Sequence, residues 1–353
     1  MTTASAEPVV ERHSEIAPLA AEWDSLADRV GAQPFLRPGW TEAWLRAFTS
    51  DRAEVITVRQ DGFLTGVLPI VHRGGGVITA PANSHTPLAG ALCDGHAAAA
   101  VLAGEVLAAR PARADFRYAD PADPFVAHLR ASGRRTIERT VSQQPWVDTS
   151  SGDFDAYLAG LSRKHRKEAG RLRRKLEAAG ELTFEFADGS DDRLERLLEE
   201  GFAIEGSGWK TENGTAINSL EDAHTFYTEL ARWAAERGYL RLAFLRLDGL
   251  PLAFDYCLET GGAFYALKGG FDVEFRNLGP GVVLTHESLR RAFESESIHA
   301  YEFLGTADEY KLQWTSATRE RVRFQIFSRS PVGLLQYAGW QHGRSLAKRL
   351  KRS

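Results

Sequence analysis

Arg276, Gly279 and Gly281 stand in the order R-x-x-G-x-G. They follow an apolar run with strand character, Ala263–Leu267, and precede a segment with helical periodicity, Val282–Phe293. Strand, glycine turn and helix in that order suit a pyrophosphate. Glycines let backbone N–H groups approach an anion, and the helix N-terminus adds partial positive charge. Arg276 supplies a fixed cation. Pro280 has no N–H, so one donor is missing from the array, and a Gly-Pro-Gly turn can also serve simply to start a helix.

The elements around this loop form an ordered series. Leu240–Leu247 and Leu252–Leu258 read as strands joined by the hairpin turn Asp248-Gly249, and Gly261-Gly262 leads into the strand before the loop. Ala300–Leu304, a short helical stretch at Tyr310–Trp314, and Arg321–Phe327 follow. A Rossmann unit fits less well, because its glycine turn follows the first strand of a βαβ unit and not the third strand of a meander. The N-terminal half repeats part of the pattern. Helices at Ile16–Val30 and Thr41–Phe48 precede strands Glu54–Arg59 and Leu64–Val71 with another Asp-Gly turn, Asp61-Gly62, which suggests a duplicated domain. This half has no R-x-x-G-x-G loop; Asn83–Leu88 reads as a surface loop or a ligand-facing one.

A chain of 353 residues with 43% hydrophobic content can bury two cores. A net charge of −4 argues against a protein that binds nucleic acid over its whole surface. Charge is instead concentrated in Ser162–Leu176, where eight Lys and Arg residues oppose Glu168 alone on an amphipathic helix. That face is either a solvated surface or a site for phosphates, an anionic polymer or tRNA. The segment 331–353 is a basic tail able to touch an anionic membrane surface. No secretory leader or membrane span is expected, and Cys93 and Cys257 have neither metal nor redox spacing, so a cytoplasmic, metal-free protein is expected.

The strand order with the loop resembles the acyl-CoA N-acyltransferase (GNAT) superfamily. Four segments resemble one subgroup of it, the tandem CelD-like proteins linked to cellulose biosynthesis and related to Fem-type peptidyltransferases. These are Pro34-Phe35-x-x-Pro38-x-Trp40, the cluster Glu205-x-Ser207-Gly208-Trp209-Lys210 with Gly214-Thr215-Ala216, Arg276–Gly281, and Phe303-Leu304-Gly305 with Tyr310-Lys311-x-x-Trp314. Together they span most of residues 20–328. The resemblance implies a mixed-sheet α/β (α+β) fold of two tandem GNAT-like domains: a degenerate one at 1–145, and an acyltransferase domain at 146–330 introduced by the basic helix 155–179.

It further implies acetyl-CoA or another acyl-CoA as co-substrate, its pyrophosphate held by Arg276, Asn277, Leu278, Gly279, Gly281 and Val282. Lys268, on the strand entering the loop, is placed to pair with a cofactor phosphate or a carboxylate, or to serve as a strand-edge lysine. Trp209 and Lys210 would line the acceptor pocket, and Tyr310 would protonate the leaving thiolate. Acyl transfer to an amine also needs a proton acceptor, for which Glu205, Asp255 and Asp272 are the candidates; each serves equally well as a cap or a solvated carboxylate. The acceptor is expected to be an amine of a sugar, glycan precursor or small metabolite in envelope or polysaccharide metabolism. Two alternatives remain open: a Fem-like transfer from aminoacyl-tRNA, and a catalytically silent protein that docks on an anionic polymer or membrane.

Overall fold

The computed structural model describes residues 7–207, 217 and 220–350, without the side chains beyond 341. The chain divides into two compact units, Met1–Leu45 with Thr49–Ser142 and Glu320–Ser353, and Arg46–Phe48 with Gln143–Arg319. The division expected at 145/146 thus falls inside a strand, and residues from Glu320 onward belong with the first unit. The reason is pairing: Val322–Phe327 lie antiparallel to Arg113–Ala119.

In chain order the first unit contains β1 (Val9–His13), α1 (Ala20–Arg29), α2 (Pro38–Phe48), β2 (Ala53–Gln60), β3 (Phe63–Arg73), β4 (Val77–Thr79), β5 (Leu92–Cys93), α3 (Gly95–Ala108), β6 (Arg113–Ala119), α4 (Pro124–Ala131) and the start of β7 (Arg135–Asp148). The motif around Trp40 builds this unit's core. Trp23, Trp40 and Trp44 are buried, and the Trp23 indole donates to the Leu36 carbonyl at 2.8 Å. Buried Arg37 is held between Asp24 and Asp28, as a buried guanidinium requires. In the loop Asn83–Leu88, the Asn83 carboxamide accepts from the His85 N–H at 2.9 Å, an Asx turn closed on itself.

The second unit continues with α5 (Phe154–Gly160), α6 (Arg163–Glu177), β8 (Leu182–Ala187), α7 (Leu194–Glu205), α8 (Glu221–Glu236), β9 (Leu240–Leu247), β10 (Leu250–Thr260), β11 (Ala263–Phe271), α9 (Pro280–Glu294), β12 (Ala300–Glu302) and α10 (Glu309–Leu312). The chain then enters β13 (Thr318–Phe327) and the terminal helix α11 (Pro331–Leu350). No helix among the described residues is long and apolar enough to cross a membrane.

The duplication read from the two hairpins is visible in strand order. In the first unit β1, β2, β3 and β4 pair in turn and antiparallel, and β4 pairs parallel with β6. In the second unit β8, β9, β10 and β11 do the same, and β11 pairs parallel with β12. Both Asp-Gly turns have positive φ at both positions, 51° and 83° at Asp61-Gly62 and 50° and 81° at Asp248-Gly249, the conformation that matches strand twist.

The second unit packs helices on both faces of its strands. On one face Leu172 and Leu176 of α6 and Val283 and Leu284 of α9 cluster with Ala243, Leu245, Leu252 and Ala253. Nearby, Phe154, Leu289, Phe293, Tyr301, Phe303 and Trp314 form a second apolar cluster. On the other face α7 approaches β10 so closely that a Cβ at Gly201 would overlap the Phe254 ring. Each large apolar side chain buried here contributes about 2–3 kcal/mol relative to exposure.

Candidate active site

The anion loop is built in three steps. The Asp272 carboxylate caps a 3-10 turn, Val273–Leu278, by accepting the Glu274 N–H at 3.0 Å. Gly279 then takes a left-handed conformation (φ 62°, ψ 44°), and Pro280 opens α9 at its first position. Gly279 N–H donates back to the Arg276 carbonyl at 3.1 Å, while Val282 and Val283 N–H return to the Gly279 carbonyl at 3.1 and 3.3 Å. The amide left over in the first helical turn is that of Gly281, which geometry deprives of an intrahelical acceptor. The Arg276 side chain makes no ion pair among the described residues. An exposed arginine, a helix N-terminus and an orphan amide therefore stand on one turn, a set that fits a pyrophosphate.

The basic helix α6 supports this loop from behind. A Cβ at Gly279 would stand 2.6 Å from Leu172 Cδ1, so the glycine is needed for close approach as well as for its φ. Lys175 Nζ donates to the Asn277 carbonyl at 2.9 Å.

Beside the loop the strands part. β11 pairs with β12 at Ala263, Phe264 and Tyr265 only, yet runs on to Phe271. Phe303 stays with the β7 side, its N–H on the Pro145 carbonyl at 3.0 Å, and Leu304 and Gly305 then turn the chain away with positive φ (54° and 62°). For this reason the strand expected at Ala300–Leu304 ends at Glu302. On the opposite edge of β11 the register with β10 slips between Tyr256↔Lys268 and Cys257↔Ala266, leaving Leu267 as a bulge that bends the strand. Among the described residues the edge of β11 beyond Tyr265 thus faces the gap between the parting strands instead of a paired strand.

Lys311 fixes the far side of that gap. Its buried ammonium donates to the carbonyls of Leu304 at 2.8 Å and Thr306 at 3.2 Å, anchoring the one-turn helix α10. Tyr310 rides on this helix. The protein packed around it and the charges of Asp255 and Asp308 push its hydroxyl above the usual tyrosine range, although 58% of the residue is open to solvent, which tempers the shift. The tyrosine is therefore neutral and able to donate at physiological pH.

The three candidate carboxylates lie in different places. Asp255, half-buried on β10, folds over its cross-strand partner Gly269, where a Cβ would overlap the carboxylate, and its charge is felt by Tyr310. Glu205 is fully buried at the end of α7 and accepts the Ile217 N–H at 2.9 Å. Its charge, after burial, helps push the Tyr227 hydroxyl up. A Cβ at Gly270 would stand 2.7 Å from Glu205 Cα, which places Glu205 on the sheet face opposite Asp255. Asp272 is engaged as the cap described above.

Lys268, two residues before Gly270, shares the α7 side by strand alternation, away from Asp255. Trp209 and Lys210 lie outside the described residues. Gly269, Gly270, Lys311 and Lys175 were missed as positioning residues. A Gly-Gly pair inside a strand pattern is the available signal for close approach, and it stood at the site. No group of His, Cys, Asp or Glu among the described residues could hold a metal ion.

Residues 163–312 match the family model of the acetyltransferase (GNAT) domain, a match that lies within the second unit and supports an N-acyltransferase domain there. Comparison with curated protein sequences gives no match. Among solved structures the chain is similar to FemX, with a TM-score of 0.60 at 14% identity over 94% of this chain and 100% of that one. It is also similar to the C-terminal domain of a putative lysylphosphatidylglycerol synthetase from Agrobacterium fabrum (TM-score 0.57, 15% identity, 91% and 96% covered). A tandem GNAT protein from the clavulanic acid biosynthesis pathway matches at TM-score 0.51 and 14% identity, over 92% of this chain and 100% of that one. At these identities the likeness concerns the fold alone, a tandem GNAT-like architecture.

Proposed function

We propose that the second unit transfers an acyl group from acyl-CoA to an amine of a sugar, glycan precursor or small metabolite. The observation that carries this reading is the meeting of three features in one region: the anion loop at Arg276–Gly281, the open edge of β11, and the Asp255–Tyr310 pair. Arg276 and the Gly281 amide would hold the pyrophosphate, with the thioester directed along the open strand edge. Acyl-CoA supplies the activated carbonyl.

Asp255 takes a proton from the acceptor amine, directly or through water, as the nitrogen bonds to the carbonyl carbon. Tyr310 donates its proton to the sulfur as the C–S bond breaks. One proton leaves nitrogen and one reaches sulfur, so the step balances. The subgroup resemblance carried by Glu205–Ala216 and Tyr310–Trp314 supports cytoplasmic acceptors bound for envelope or polysaccharide synthesis.

Calorimetric titration with acetyl-CoA and longer acyl-CoAs tests the reading. Saturable binding is expected, lost in Arg276→Ala with Gly281→Glu. In thiol-release assays Tyr310→Phe should lower kcat by about 10²-fold with little change in acyl-CoA affinity. An unchanged kcat would favour a binding protein that keeps the fold.

A second reading, transfer from aminoacyl-tRNA, is favoured by the cations of α6 that have no acidic partner: Arg163, Lys164, Arg166, Lys167 and Arg174 make no ion pair among the described residues. It requires tRNA binding that falls steeply with salt and no dependence on acyl-CoA.

A further inference from the structure

Coenzyme A carries a 3′-phosphate besides its pyrophosphate, and the loop Arg276–Gly281 is poorly equipped for both. Pro280 has no N–H, the Gly279 amide is taken by the Arg276 carbonyl, and Arg276 is the only cation between Gly269 and Arg290. The missing positive charge stands on the neighbouring helix. α6 touches the loop through Leu172 against Gly279 and through the Lys175 ammonium on the Asn277 carbonyl, with Phe275 and Leu278 packed against the cluster that holds Leu172 and Leu176.

The helical repeat decides which cations belong to that side. His165, Ala169, Leu172 and Leu176 form the buried stripe of α6. Arg173 lies to one flank, paired with Glu177 and Glu287 and stacked on Phe184. Lys175 marks the other flank, the one that meets the loop. Arg171 is one turn before Lys175 on that flank, and Arg174, one turn after Arg171, projects to solvent opposite the buried stripe with its guanidinium beside Gly170.

Arg171, Arg174 and Lys175 are all exposed. Arg174 makes no ion pair among the described residues, and Arg171 meets only Glu168, in a solvent-exposed pair that a phosphate can displace at little cost. Two cations in the last turn complement the helix dipole, but that role does not require four within five residues, Arg171 and Arg173–Lys175.

We infer that α6 forms a second wall of the cofactor site and that Arg171, Arg174 and Lys175 hold the 3′-phosphate of coenzyme A; the inference rests on the acyl-CoA reading above. The helix that precedes the transferase strands is then part of its ligand site, and the enzyme distinguishes coenzyme A from its 3′-dephospho form.

The test is calorimetric binding of coenzyme A and 3′-dephospho-coenzyme A to the full-length protein and to the double variant Arg171→Gln, Arg174→Gln. Both substitutions are at exposed positions, so folding is retained. The unaltered protein should bind coenzyme A about tenfold more tightly than the dephospho form. The variant should bind the two equally, with its affinity for the dephospho form unchanged. Equal binding of both ligands by the unaltered protein, or discrimination that survives in the variant, overturns the inference and leaves the acyl-CoA reading intact. Failure of either ligand to bind the unaltered protein overturns both. A variant that keeps its discrimination but loses binding to phosphatidylglycerol vesicles or to tRNA would assign α6 to a membrane or to RNA instead, and overturn the inference.

Discussion

The Asp255 carboxylate folds across the α-carbon of Gly269, its partner on the neighbouring strand. No other residue fits at 269 while the carboxylate keeps that position, because any Cβ overlaps it. Gly269 thus acts through Asp255, keeping it at the open edge of β11.

Gly269→Ala should therefore separate catalysis from binding. The added methyl displaces the carboxylate, and kcat should fall about 10–100-fold, the usual consequence of misplacing a reacting group by an ångström. Acyl-CoA affinity should stay within twofold, by calorimetry. Gly270→Ala, one residue on, strikes the Glu205 backbone instead and should destabilise the fold by about 1–3 kcal/mol in urea unfolding. A Gly269→Ala enzyme with full kcat would remove Asp255 from the mechanism.

Lys311 holds the carbonyl of buried Leu304 together with that of exposed Thr306, and the first would otherwise lose its charged donor inside the protein. Lys311→Met should cost about 2–3 kcal/mol in chemical denaturation, since these are charge-assisted bonds. Tyr310 is carried on the same helical turn, so kcat should fall with stability, while acyl-CoA binding at the Arg276 loop is retained. Loss of binding in parallel with kcat would show that α10 is not a separate module.

His286 gives the second unit a pH-dependent stability. Burial on α9, then the charge of Arg290, lower its imidazole to about 4 from the ordinary histidine value of 6.5. Its ring packs edge-on to Phe154 at 5.1 Å. The unfolded chain therefore binds the extra proton first. The stabilisation from the neutral ring is complete above about pH 6.5 and is lost as pH falls towards 4. Allowing for partial exposure, about 1–2 kcal/mol should disappear between pH 7 and 5. His286→Phe should flatten that part of the stability curve; an identical slope in the variant would assign it to another group.

The features legible in the residues alone are local ones. The Asp-Gly dipeptides set both hairpins because only residues tolerant of positive φ can make those turns, and the resemblance carried by Arg276–Gly281 pointed to a GNAT-like second half that the strand order and the family match share. The loop's order, strand then glycines then helix, was legible for the same reason: each part is fixed by neighbours a few residues away. Tertiary structure decided the rest. Glu205, Asp255 and Asp272 were equivalent as letters, and only strand register and helix approach gave one to a cap, one to a buried N–H and one to the gap beside Tyr310. Whether a strand stops or parts from its neighbour depends on a partner far along the chain, as Phe303 shows in staying with Pro145. The same holds for α6. Its charges were plain in the sequence, but which flank meets the loop was settled by Leu172 and Lys175 packing against residues about a hundred positions away.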